Sequence, residues 1–407
     1  MIIPARDESR TIEGTIEALA RQVDLTGQPL HPARYEIVLL VNNCRDDTAA
    51  RARRAAARYP DVALHVVEAT LPDAEAHVGR ARQLLMDEAY RRLTLTGRHE
   101  GVIASTDGDT QVAPTWLAAT LEEIARGADV VGGRITLDTR TRAALGKDTL
   151  LYYLRDAAYW RLATAYAARL DPDPYDPSPR HHQHFGASLA VTARAYRAAG
   201  GLPSVPALED VALYHALRRV DARIRHSPDV RAVTSTRPIA QTRIGLTTQL
   251  GEWAALSRAR EPWLVESRPS LAARLHAQRR LRALWRRARS GGRQRPVDVG
   301  GLAATLGLRE TDLADALTVP RPFGALLEEV ERRQVEEGVW TREVVEITAA
   351  IDDLRASLKG RRRDSVAALH PFEEIEPVVI HAPASQTPQA IAVAVARDKE
   401  VVDLVAG

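Results

Sequence analysis

The chain has 407 residues, with 56 basic against 53 acidic side chains and a net charge of +3, which gives no case for nucleic acid. A lone cysteine, Cys44, excludes an internal disulfide framework and points to a reducing compartment. No apolar run approaches the roughly 18 residues of a membrane span, and charged residues begin at Arg6, against a secretory signal, so the expected compartment is the cytoplasm.

Met1-Ile2-Ile3-Pro4 reads as a first strand, short enough to expect missing residues upstream. A polar loop from Arg6 to Ser9 leads into a helix through about Gln22, with Ile12, Ile16, Leu19 and Val23 at helical spacing. Tyr35 to Val41 is a near-continuous apolar strand of the kind buried on both faces. It ends in Asn42-Asn43-Cys44-Arg45-Asp46-Asp47-Thr48, followed by an Ala/Arg helix to about Tyr59. A third strand is expected at 62–68, a helix from Val78 to about Leu93, and a strand at 101–105. A helix at 114–126 opens on Pro114, and Asp129 to Gly133 is a further short strand. This alternation predicts an α/β fold with a mostly parallel, helix-covered sheet.

The strand at 101–105 runs into Ser105-Thr106-Asp107-Gly108-Asp109-Thr110. In open α/β sheets, ligands bind beyond the carboxyl ends of strands. Two carboxylates one glycine apart repel each other unless a cation sits between them, which suits Mg²⁺ or Mn²⁺. Such an ion holds a diphosphate and offsets the charge that grows on it as it leaves. The plainer reading of these six residues is an Asp-Gly turn.

One long helix is expected from about Thr141 to Leu170, with Tyr152, Tyr159 and Tyr166 spaced as a core stripe. Residues 171–179 carry four prolines and cannot be regular structure. They read as a loop that closes over a bound ligand, with His181, His182 and His184 at its end. An apolar strand at 185–191, a turn at Gly200-Gly201 and a helix from Leu208 to about Val220 follow. After residue 245 strand signals stop, and the rest reads as mainly helical. Arginines crowd residues 279–289, either as a solvated face or as a peripheral contact with a membrane surface.

The order of these pieces resembles the family 2 glycosyltransferases and their GT-A fold, over about residues 1–245. Ile3-Pro4-Ala5-Arg6-Asp7-Glu8 resembles that family's "IPAxNE" opening, and Val41 to Thr48 its second-strand "DDGSxDxT" loop. Thr106 to Asp109 sits at its DxD position. Gly186-Ala187-Ser188, Gly200-Gly201-Leu202 and Glu209-Asp210-Val211-Ala212-Leu213 follow its "GAxxxxRRxxxxxxGGxxxxxxxEDxxL" region.

The resemblance implies a metal-dependent enzyme that moves a sugar from a nucleotide-diphosphate donor to an acceptor hydroxyl, inverting the anomeric centre. It implies donor binding by Pro4, Arg6, Glu8, Asn43, Arg82, Asp107, Gly186 and Ala187. Asn stands at 42 and 43 where the family has Asp, and Gln83 stands where the family has Asn after Arg82. The divalent Mn²⁺ or Mg²⁺ falls to Asp107 and Asp109, with His184 as a candidate third ligand. Asp210, paired with Glu209, is the implied general base. A helix N-cap is the plainer role for Asp210.

Two rival readings stand beside this one. A nucleotidyltransferase on a similar fold would carry a Gly-rich basic loop after its first strand, which residues 4–14 lack. A non-enzymatic binding module would use the arginine-rich helices. The expected organisation is a GT-A domain at 1–245, an Arg-rich helical segment and linker at 246–295, and a mainly helical region of unassigned role at 296–407. Donor sugar, acceptor, inversion against retention, and oligomeric state are not fixed by these residues.

Overall fold

The computed structural model describes residues 1–235, 245–290, 299–339 and 342–359. Its strands are β1 (Ile2–Ala5), β2 (Glu36–Asn42), β3 (Ala63–Ala69), β4 (Val102–Ser105), β5 (Thr110–Val112), β6 (Val130–Leu137), β7 (Leu189–Thr192), β8 (Ile224–Thr234), β9 (Leu264–Glu266) and β10 (Val344–Glu346). The helices of the first half are α1 (Ile12–Ala20), α2 (Thr48–Ala56), α3 (Val78–Leu95), α4 (Trp116–Ala125), α5 (Thr139–Ala144), α6 (Lys147–Leu170), α7 (Ala193–Ala198) and α8 (Glu209–Arg219). Those of the second half are α9 (Leu246–Ala259), α10 (Arg268–Arg289), α11 (Val299–Leu306), α12 (Glu310–Thr318), α13 (Phe323–Glu336) and α14 (Ile347–Lys359).

Eight strands form one sheet in the order β3-β2-β1-β4-β7-β6-β8-β5. The first four run parallel, as do β6 and β8. β7 is antiparallel to both neighbours, and β5 is antiparallel to β8. The alternation of β2 explains its unbroken apolar run. Ile37, Leu39 and Val41 enter a core with α1, α2 and α4. Val38 and Leu40 enter the opposite core with α3, α7 and α8. A strand buried on both faces needs no polar positions.

Besides the short β5 and α7, which were not expected, four details depart from the expected elements. The single helix from 141 is two, because Leu145 leaves helical backbone with φ −67° and ψ 135° ahead of Gly146. Strand β8 was not expected, because buried Arg225, His226 and Ser227 break any apolar pattern. β9 and β10 pair antiparallel beyond residue 245, where only helices were expected. The loop at 171–184 is fastened rather than free. Its Asp176 is buried and accepts from His226 N and Nδ1, both at 2.9 Å, and from Arg225 and Arg180, both at 3.3 Å.

The later helices share a core with the earlier ones. Tyr153, Tyr159 and Tyr166 of α6 pack with Trp253 of α9, Leu271 of α10 and Ile351 of α14. A second helical core joins α10 to α11, α12 and α13. Asp221, just after α8, caps α13 by accepting from Phe323 N and Gly324 N, both at 2.7 Å. Arg219 grips Glu328 with two hydrogen bonds of 2.6 and 2.7 Å.

Candidate active site

The loops that leave β1, β2 and β4 all emerge at the carboxyl edge of parallel strands, where such sheets place ligands. Two residues there, Asp7 and Asn43, hold left-handed backbone with φ of 52° and 51°. Pro4 lies buried within β1, opposite Leu40. Arg6 donates to Ala76 O at 2.8 Å, in the loop before α3. Glu8 is buried, with its N–H on Thr48 Oγ1 and its Oε2 accepting from Thr11 Oγ1, both at 2.7 Å. The amide of Asn43 is engaged at both ends by Leu71, donating to its carbonyl at 2.9 Å and accepting from its N–H at 3.0 Å. It pins the loop after β3, a role that its motif position does not reveal.

The turn after β4 sets Asp107 and Asp109 side by side. Gly108 is required there, since a Cβ would meet Glu8 Cγ at 2.8 Å. Asp107 Oδ1 accepts from Arg82 Nη2 at 2.7 Å, and its side chain is about one-third exposed. Asp109 is partly buried, with long contacts of 3.4 Å to Thr110 Oγ1 and Thr234 Oγ1 and of 3.5 Å to Ser235 Oγ. Burial, and then the charge of Asp107, push its carboxyl up to about 7. Two neighbouring hard oxygen donors of this kind fit a divalent cation, whose charge would offset the shift.

Glu209 and Asp210 open α8 behind Leu208, whose left-handed backbone (φ 58°) turns the chain into the helix. Leu208, not Asp210, holds the N-cap position, and Asp210 is the second helical residue. Its carboxylate still faces the positive end of the helix. Asp210 Oδ2 accepts from Gly186 N and Oδ1 from Val211 N, both at 2.8 Å. Burial raises the Asp210 carboxyl above the ordinary range. Ala187 is tied to the turn after β4, its carbonyl accepting from Thr106 Oγ1 at 3.0 Å.

These motifs meet on Arg82 of α3. Its Nε donates to Glu209 Oε1 at 2.9 Å, its Nη2 to Asp107, and its Nη1 to Ser105 Oγ at 2.5 Å and Gly186 O at 3.0 Å. Burial works against its charge, but Asp107 and Glu209 hold it protonated.

His184 stands apart from Asp107 and Asp109 in its contacts. Its ring stacks on Tyr214 of α8 at 3.8 Å and 12°, and Nδ1 donates to His182 O at 3.0 Å. Burial lowers its pKa well below the ordinary value, leaving a neutral imidazole. Among the described residues, Asp7, Cys44 and Asp46 form the only set of three side chains close enough to share a metal ion. That set does not include the Asp107–Asp109 pair, so His184 is not placed as a third ligand. Ser105 and the Gly186 carbonyl were missed from sequence, because nothing local marks them as partners of Arg82.

Residues 1–170 match the family model described as glycosyl transferase family 2. Over those residues the chain is similar to that family. No curated protein matches it. Among solved structures, it is similar to a mannosyltransferase from Pyrobaculum calidifontis in complex with GDP-Man and Mn²⁺, at 19% identity and TM-score 0.39, covering 89% of this chain and 86% of that one. It is also similar to S. aureus TarS in complex with UDP, at 13% identity and TM-score 0.41, covering 93% of this chain and 97% of that one. For M. tuberculosis glucosyl-3-phosphoglycerate synthase the identity is 18% and the TM-score 0.33, covering 64% and 80%. At such scores these likenesses decide nothing about donor or acceptor.

Proposed function

We propose that the chain transfers a sugar from a nucleotide-diphosphate donor to an acceptor hydroxyl, with inversion. The observation that supports this most is the meeting of the Asp107–Asp109 turn and the Glu209–Asp210 helix start on one buried arginine, in a chain similar to family 2 over residues 1–170. Asp107 and Asp109 would hold a divalent cation, Mn²⁺ or Mg²⁺, which supplies charge neutralisation for a departing diphosphate. Asp210 takes the proton of the acceptor hydroxyl through a carboxylate oxygen. Its raised pKa brings its basicity nearer to neutral pH, where a general base works best. The Gly186 N–H keeps the carboxylate aimed while it works. Enclosure of Glu209 and Asp210 keeps bulk water from these charges, so each acts more strongly than at the surface.

Glu8 and the positive-φ turns at Asp7 and Asn43 border the nucleoside end. We assign the transferase to residues 1–245 and give the later helices a supporting role, since their core includes α6. Among the described residues no helix is long and apolar enough to cross a membrane. The test is a panel of nucleotide sugars, each with Mn²⁺ and with EDTA, scored by thermal shift and by slow donor hydrolysis. One donor should stabilise and hydrolyse only with the cation. A panel with no response, or with equal hydrolysis in EDTA, sinks the proposal.

A further inference from the structure

We propose that Arg82 is a positioning residue that couples cation binding at Asp107 to the carboxylates Glu209 and Asp210. The proposal rests on the transferase reading above. The Arg82 side chain is 3% exposed, and its one positive charge serves a carboxylate from each of two motifs. Asp107 lies 25 residues away in sequence and Glu209 lies 127 away. Gly186 extends the grip. Its carbonyl accepts from Arg82 at 3.0 Å, while its N–H holds Asp210 at 2.8 Å. A Cβ at position 186 would come within 2.4 Å of Arg82 Cζ, so glycine there makes the seat for the guanidinium.

A cation held by Asp107 competes with Arg82 for the same carboxylate and is repelled by it. Arg82 and Glu209 are enclosed, so their pairing is little screened by salt. Arg82 therefore weakens cation binding, and an arriving cation shifts Arg82 toward Glu209. The linkage is reciprocal. When the charge of Glu209 is removed, Arg82 is left with Asp107 alone and holds it harder against the cation. Filling of the donor side thereby tightens the Arg82–Glu209 pair and the Gly186 segment that aims Asp210. The family resemblance implies donor binding by Arg82. Its four internal partners favour this linking role instead.

The test measures Mn²⁺ affinity by electron paramagnetic resonance of the free ion, with no donor or acceptor present. The proteins are wild type, Arg82→Gln, Glu209→Gln and the double variant. Arg82→Gln should bind Mn²⁺ about fivefold tighter or more, Glu209→Gln weaker by a similar factor, and the Glu209→Gln penalty should vanish in the double variant. An arginine that only maintained the fold would give weaker binding when replaced. Binding no tighter than wild type in a folded Arg82→Gln protein overturns the proposal. So does a Glu209→Gln penalty of equal size in both backgrounds. If Arg82→Gln does not fold, Arg82→Lys replaces it, since an ammonium reaches one carboxylate rather than two. The Glu209→Gln penalty should then shrink, and its persistence in full overturns the proposal. No Mn²⁺ binding by wild type removes both this proposal and the cation site. Failure of every donor with the Mn²⁺ pattern intact removes the transferase reading alone.

Discussion

Asp156 of α6 is fully enclosed among aromatic rings, and its replacement should change how stability responds to pH. Trp263 Nε1 donates to Oδ1 at 3.2 Å. Burial raises its carboxyl to about 7 from 3.8, and the indoles of Trp263 and Trp160 offset only part of that. The folded state therefore binds this proton more tightly than the unfolded state does. Below pH 4 both states are protonated, and the group contributes no pH dependence. Between about pH 4 and 7 the unfolded chain loses the proton while the folded chain keeps it, so stability falls as pH rises. The slope is about 1.4 kcal/mol per pH unit, or about 4 kcal/mol over three units, as an upper figure. Above pH 7 the loss is complete and the curve is flat. Asp156→Asn cannot ionise and lacks this loss. Asp109 and Asp210 have raised values too, so the quantity to follow is the difference between variant and wild type. Urea unfolding followed by tryptophan fluorescence at pH 5, 6, 7 and 8 gives that difference. It should move in favour of Asp156→Asn by about 1.4 kcal/mol per unit up to pH 7 and then stop. A difference independent of pH would refute the reasoning, because Asp156 would then have the same proton affinity folded and unfolded.

Three further outcomes are expected. Donor hydrolysis should stop in EDTA and return with Mn²⁺ or Mg²⁺, and Asp109→Ala should stay folded yet remain inactive; hydrolysis at the wild-type rate in either case counts against the cation site. Asp210→Asn should bind donor as wild type does but transfer at least about a hundredfold more slowly, as measured by kcat and donor Kd; normal transfer would leave Asp210 as a helix-start residue only. Trypsin should cut slowly after Arg180 with or without nucleotide, because Asp176 fastens that loop to Arg225 and His226. Asp176→Asn should make that cut fast, and a nucleotide-dependent cut in wild type would restore the closing-lid picture.

What could be read from sequence follows from where each residue's partner lies. β2 was legible because two cores, one on each face, write their demand for apolar residues directly into consecutive positions. β8 was not, because its buried polar side chains are satisfied from afar. Arg225 meets Glu123 at 3.1 Å, 102 residues away, and Ser227 meets the same carboxylate at 2.7 Å. No window of ten residues contains that pairing. Tyr159 and Tyr166 of the aromatic stripe on α6 were legible as core, since their spacing is its own evidence, whereas Tyr152 is only partly buried and Tyr153 fills the core beside them.

The candidate site divides along the same line. The carboxylates at 107, 109, 209 and 210 could be picked out, because they stand where the motifs of the resembled family place theirs. Which of them already has a counter-ion could not. Asn43 had the right motif position, but its amide is occupied by Leu71. His184 had the right chemistry for a metal, but it donates to a neighbouring carbonyl and lies flat on Tyr214. Arg82 had the motif position of a donor-binding residue, and it is the most fully occupied side chain in the site. Sequence motifs show which groups can carry charge or hydrogen bonds. Whether a group remains free for a ligand depends on its partners in the fold, and at this site those partners lie from 1 to 127 residues away.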